Sequence, residues 1–189
     1  MRVLFYCRGI ENLGVGYLMS MLMPHGHEID LIFDPGLDDN LFIKAPHLAW
    51  LNRHEALLER AVGFEPDLIA MGSLTNLYPF PSKMAEMLKR RIAASIIICG
   101  HHAQAIPDYI LENPNVDMVC IGEGEIALLE LANRMERCED VTTIPGIWVR
   151  QGGDGPPQPN RRAGEPARQL PIPREAARVG LRLLQGQPR

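Results

Sequence analysis

Two kinds of apolar stretch take turns along this chain. The first kind is short and nearly continuous: residues 2–6, Glu28–Phe33, Asp67–Met71, Ser95–Cys99 and Val116–Ile121. Runs of this length, rich in Ile, Val and Leu, read as strands buried on both faces. The second kind is longer and spaced at three and four residues. Val15, Leu18, Met19 and Leu22 share one helical face, closed off by Pro24 and Gly26. Three more helices are expected over His47–Phe64 (Leu51, Leu58 and Val62 inward), Pro79–Ala94 (Met84, Met87, Leu88 and Ile92) and Glu123–Glu136 (Leu128, Leu131, Ala132 and Met135). A shorter one is expected over Gln104–Leu111. Asp34-Pro35-Gly36 reads as a turn opening a loop to about Pro46.

Strand and helix in alternation predict a parallel sheet covered on both faces. Five strands with right-handed crossovers fit a flavodoxin-like, doubly wound α/β domain of strand order 2-1-3-4-5. The β-branched run Ser-Ile-Ile-Ile-Cys is expected at its centre. A last short strand, Gly146–Arg150, is expected either as half of a hairpin turning at residues 152–155 or as the start of a linker. In such a sheet, ligands bind beyond the carboxyl ends of the strands where strand order reverses. The chemistry at those ends is therefore informative: Met71-Gly72-Ser73-Leu74-Thr75-Asn76, Cys99-Gly100-His101-His102 and Ile121-Gly122-Glu123-Gly124-Glu125.

Composition narrows the picture. With 189 residues, 46% apolar and 22% charged, the chain has room for one folded domain and an extension. The formal charge of −4 argues against a nucleic-acid partner, and no apolar run is long enough to span a bilayer. Residues 151–189 hold seven Arg, three acidic residues and seven of the 16 prolines. A domain over residues 1–150 followed by a flexible Pro/Gly/Arg-rich linker or tail is the expected division. The cysteines Cys7, Cys99, Cys120 and Cys138 are scattered and read as reduced thiols of a cytoplasmic protein.

The strand ends also exclude several ligands. Tyr6-Cys7-Arg8-Gly9 and Gly72-Ser73-Leu74-Thr75 lack the carboxylates a phosphoacceptor receiver needs to hold magnesium. Cys7-Arg8-Gly9-Ile10-Glu11-Asn12 is a poor phosphate loop for a flavin nucleotide, and no G-x-G-x-x-G or GKS/GKT signature occurs.

What remains resembles the cobalamin-binding domain that precedes the catalytic barrel of B12-dependent radical S-adenosylmethionine (radical SAM) enzymes. Four motifs in order carry the resemblance over roughly residues 1–173. They are Leu13-Gly14-Val15-Gly16-Tyr17-Leu18 leading into Gly26-His27-Glu28; Pro66–Thr75; Ile97-Ile98-Cys99-Gly100-His101-His102-Ala103, a G-G-x-H-A pattern with Cys99 for the first Gly; and Val116–Glu125. Ile144-Pro145-Gly146-Ile147 and Leu170-Pro171-Ile172-Pro173 fit the family's linker.

The resemblance implies a corrinoid whose nucleotide tail enters the crevice between the first and third strands. Gly72, Ser73, Leu74, Thr75, Gly100, His101, His102, Gly122, Glu123 and Gly124 would line it. Ser73 and Thr75 can hydrogen-bond to the buried base. Gly72 and Gly100 allow close backbone approach. Gly122 and Gly124 offer free N–H groups at a helix start. Glu123 suits either ligand contact or simple capping, and Glu125 suits capping.

Two departures qualify this. The D-x-H-x-x-G histidine that replaces the tail base on cobalt in many cobalamin domains is missing, since no His precedes His25. Base-off cobalamin without that ligand is implied, with His102 the weak candidate near cobalt. The C-x-x-x-C-x-x-C motif that holds a [4Fe–4S] cluster is also missing, because no two cysteines lie closer than 18 residues. The expectation is a module that is not an enzyme alone, in a truncated or split chain or one ending where the barrel would begin. A radical SAM catalytic domain in cis or trans would use it for methyl transfer or radical rearrangement. The alternative is a non-enzymatic sensor or partner protein holding a corrinoid or nucleotide-like ligand.

Overall fold

The computed structural model describes residues 1–9, 13–36 and 54–150. The expected loop after Gly36, the expected helical start at His47 with Leu51, the turn at 152–155 and the tail lie outside the described residues. The strands are β1 (Arg2–Arg8), β2 (Glu28–Asp34), β3 (Leu68–Gly72), β4 (Ser95–Cys99), β5 (Met118–Cys120) and β6 (Ile147–Val149). They form one sheet of order β2-β1-β3-β4-β5-β6. The five parallel strands take the expected order 2-1-3-4-5. The sixth returns to pair antiparallel with β5, Val119 opposite Trp148.

The sheet is wrapped on both sides, and the period-2 alternation sorts its side chains. Val3, Phe5 and Cys7 face one layer with Leu68, Ala70, Ile97 and Met118, covered by α1 (Leu13–Leu22) and α6 (Gly124–Glu136). Leu4, Tyr6, Ile69, Met71, Ile96 and Ile98 face the other. That layer is covered by α2 (His54–Phe64), α3 (Pro79–Lys89), α4 (His101–Ala105) and α5 (Pro107–Leu111). Ile96, Ile97 and Ile98 are all 0% exposed, as expected of a central strand.

Two helices differ from their sequence expectation. The single helix expected over 104–111 is two short ones, parted at Ile106, whose ψ of 60° is non-helical. Pro107 is the cause, since proline disfavours the α region in the residue before it. The third helix stops at Lys89 instead of Ala94, where the chain turns to feed β4 and the Lys89 ammonium donates to the Ala94 carbonyl at 2.9 Å.

Candidate functional site

The carboxyl ends of β1, β3, β4 and β5 share one edge, so register alone gathers the three singled-out loops. The β3 and β4 loops are clasped backbone to backbone. The Ser73 N–H donates to the Cys99 carbonyl at 2.9 Å, and the His102 N–H donates to the Ser73 carbonyl at 3.3 Å. Gly100 sits between them at φ +99°, where a Cβ would fall 2.9 Å from the Ser73 oxygen. Glycine is therefore needed here for two reasons, a left-handed φ and a contact with no room for a side chain. The close approach is to Ser73 itself. Ser73 is buried with its hydroxyl donating to the Leu74 carbonyl at 3.2 Å, while Leu74 and Thr75 are exposed and Gly72 is half-buried.

The two neighbouring histidines part company. His101 is exposed. His102 is 4% exposed, its ring 4.5 Å from that of Tyr78 and tilted by 37°. Burial lowers its pKa and keeps the imidazole neutral. Among the described residues neither of its ring nitrogens has a hydrogen-bond partner.

At the β5 end, Gly122 turns the chain at φ +85°, and a Cβ there would meet nothing within 4 Å. Its carbonyl accepts from the Gln104 side chain at 3.3 Å, which ties the β4 and β5 loops together. Glu123 occupies the N-cap position of α6 but makes no side-chain cap; it points its carboxylate into an exposed setting. Gly124 is half-buried, with Leu18 of α1 lying 3.5 Å from where its Cβ would be.

A polar group at the same edge escaped the sequence reading. Arg8 and Asp34 are register partners on β1 and β2. The Arg8 guanidinium donates to Asp34 Oδ2 at 2.6 Å and lies 3.7 Å over the Phe80 ring. The Tyr6 hydroxyl donates to the same oxygen at 2.8 Å, and the Gly36 N–H reaches Asp34 Oδ1 at 3.0 Å. His54 Nε2 is 3.7 Å from Asp34. Burial first, and the Asp34 charge second, push the Tyr6 hydroxyl far up from its ordinary pKa. The only signal in the sequence is that β1 ends on a basic residue and β2 on an acidic one; register makes them neighbours. Burial also pushes the neighbouring Cys7 thiol up to about 11.

An open parallel sheet whose carboxyl edge carries glycine turns and small polar residues defines a ligand-binding α/β domain of the flavodoxin-like type. The B12 binding domain model matches residues 9–132, and the chain belongs to that family. The cofactor that membership assigns to it is cobalamin.

Relatives agree with this. Over 121 residues the chain is 31% identical to the 2-(S-pantetheinyl)-carbapenam-3-carboxylate methyltransferase of Streptantibioticus cattleyicolor, matching 62% of this chain and 17% of that protein. Over 91 residues it is 32% identical to the cobalamin-dependent radical SAM methyltransferase TokK of Streptomyces tokunonensis, matching 47% of this chain and 13% of that protein. Among solved structures, the radical S-adenosylmethionine methyltransferase TsrM of Kitasatospora setae superposes with a TM-score of 0.65 at 16% identity, over 79% of this chain and 28% of that one. The cobalamin-dependent S-adenosylmethionine radical enzyme OxsB superposes with a TM-score of 0.61 at 16% identity, over 78% and 20%. The chain therefore spans a small fraction of the length of each of these proteins. No described helix is long and apolar enough to cross a membrane.

The edge fits a corrinoid on its own terms. Leu13, Leu74 and Ile126, at the starts of α1 and α6 and beyond β3, are 77%, 39% and 45% exposed. Apolar side chains left in water around glycine turns suit a large, flat, mostly apolar ring. His25 is remote from this edge, at the far end of α1, with its Nδ1 2.8 Å from the Met21 carbonyl oxygen.

Proposed function

We propose that the carboxyl edge of the sheet holds cobalamin in its base-off form and presents it to a radical SAM catalytic barrel supplied in cis or trans. The observation that carries this reading is the gathering of Ser73–Thr75, Gly100–His102 and Gly122–Gly124 on one sheet edge, within the residues of the family match. Bound, the corrinoid supplies one-carbon transfer and redox chemistry at its cobalt. Ser73 and Thr75 hydrogen-bond to the nucleotide tail in the crevice between β1 and β3. Gly72 and Gly100 keep that crevice free of side chains. The N–H groups that follow Gly122 would meet ribose or phosphate oxygens, and exposed Leu74 would offer apolar contact to the corrinoid. Of the paired histidines, His101 is exposed to the ligand, and His102, packed on Tyr78 with both ring nitrogens unpartnered among the described residues, is the candidate near cobalt. With no histidine in the β1–α1 segment, that segment would offer cobalt no imidazole. The reaction served is methyl transfer or a radical rearrangement, with S-adenosylmethionine a co-substrate of the barrel.

The test is a visible spectrum of the folded chain after incubation with hydroxocobalamin and desalting, oxidised and then reduced. The expected result is retained corrinoid with the base-off spectrum in the reduced state, lost in Ser73→Leu. Folded protein that retains no corrinoid overturns the reading. For the partnership, cleavage of S-adenosylmethionine should require addition of a barrel bearing C-x-x-x-C-x-x-C. Cleavage by this chain alone would contradict the division of labour.

A further inference from the structure

Three thiols sit on the face of the sheet covered by α1 and α6: Cys7, Cys99 and Cys120. Their strands separate them differently. β4 and β5 are neighbours, with Ile97 opposite Met118 and Ile98 opposite Val119. One further step in that register sets Cys99 opposite Cys120. Cys99 shares the parity of Ile97, and Cys120 that of Met118, so both side chains point to the same layer. Adjacent strands run roughly 4.8 Å apart, inside the Cα separations of about 4.4–6.8 Å that a disulfide spans. Cys7 is on β1, with β3 between it and β4, so it is about two strand spacings away and out of range. Cys138 follows α6 at the opposite edge of the sheet and is exposed.

We propose that Cys99 and Cys120 are an oxidisable cysteine pair that closes a cross-strand disulfide between the ends of β4 and β5. The oxidant is a low-molecular-weight disulfide. One cysteine thiolate attacks it to give a mixed disulfide and one released thiol. The second cysteine then displaces the other thiol. The two cysteines lose two protons and two electrons, and one small disulfide becomes two small thiols. Cys99, half-buried, is the entry point; Cys120, almost wholly enclosed, resolves the intermediate.

The bond would join the strand ends that carry Gly100–His102 and Gly122–Gly124. The pair is slow to react at neutral pH. The neighbouring Cys120, and then burial, raise the Cys99 thiol pKa well above its ordinary value. Since the thiolate is the nucleophile, closure accelerates as pH rises.

The experiment exposes the folded, reduced full chain to glutathione disulfide at neutral and at mildly alkaline pH. The chain is then unfolded, its free thiols are alkylated, and its peptides are mapped. The expected result is a species lacking two hydrogens, with the Cys99 and Cys120 peptides joined and Cys7 still alkylated, forming faster at the higher pH. Cys99→Ser should give no such link. Two outcomes overturn the proposal: Cys99 and Cys120 both fully alkylated after exposure of the folded chain, or a link that instead engages Cys7. A chain oxidised while unfolded serves as the reference, since it should pair its cysteines without this preference. No corrinoid enters the assay, so its outcome is independent of the cobalamin reading.

Discussion

The two edges of this sheet solve the problem of ending strands in opposite ways. The edge where the parallel strands begin is closed by charged side chains. Arg2 donates to Glu28 and Glu65, each at 3.1 Å, while its N–H reaches Asp67 at 2.7 Å. Asp117 gathers Lys89 at 2.6 Å, Arg150 at 3.4 Å and the Ile96 N–H at 2.7 Å. The edge where the strands end is built from backbone turns. Gly9, Gly36, Gly100 and Gly122 follow β1, β2, β4 and β5, all with positive φ. Apolar side chains there stay in water, and a buried imidazole keeps two ring nitrogens without a described partner. An edge whose polar groups satisfy each other has nothing left for a ligand. An edge with exposed apolar surface and side-chain-free turns does.

The sharpest way to break this contrast is at the buried ion pair of the ligand edge. Asp34→Ala removes the acceptor of Tyr6 and Arg8 in a buried setting, and breaking such a pair costs about 3–5 kcal/mol. Urea unfolding should show the largest loss of any variant named here. Gly100→Ala comes next. It combines strain at positive φ with a 2.9 Å approach to the Ser73 oxygen. A loss of roughly 1–3 kcal/mol is expected, together with loss of retained hydroxocobalamin.

Gly122→Ala is the matched comparison, with similar φ and open space around the Cβ. Only the backbone strain applies, about 1 kcal/mol. A Gly122→Ala loss equal to that of Gly100→Ala would mean that the clasp to Ser73 contributes nothing.

Acid should act through His102 and His27, whose pKa values are both lowered from 6.5 chiefly by burial. Depressed folded-state values mean that the unfolded chain binds these protons more readily. Stability is then level above pH 6.5 and falls as pH drops below it, toward the depressed values. His102→Phe keeps the stacking on Tyr78 and should flatten part of that fall in denaturation curves taken at stepped pH. The smallest effect belongs to the closed edge. Arg2→Ala breaks solvent-exposed ion pairs, so its urea midpoint should move less than that of Gly122→Ala, with corrinoid retention unchanged.

Much of this domain was legible in the order of its residues. The apolar runs located the strands, the three-and-four spacing located the helices, and β4 was recognised as central from Ile96-Ile97-Ile98. The candidate loops followed, because a parallel sheet must put every strand-to-helix turn on one edge. Three things were not legible. The role of Gly100 depends on Ser73, 27 positions earlier in the sequence, lying against it. The different burial of His101 and His102 depends on which of two adjacent side chains turns toward Tyr78. The Arg8–Asp34 pair depends on β1 and β2 meeting in one particular register.

The sequence by itself determined the kind of domain, since periodicity and turn chemistry are local and strands, helices and parallel connection follow from them. It also determined the family, through motifs that survive as short words. Only the tertiary structure decided which of those words touch. Residues distant in the chain become neighbours through strand register and helix packing. A one-residue slip would send Cys99 and Cys120 to opposite faces of the sheet and leave Arg8 without Asp34 beside it. Register is set by the burial of a whole face at once, so no single motif carries it.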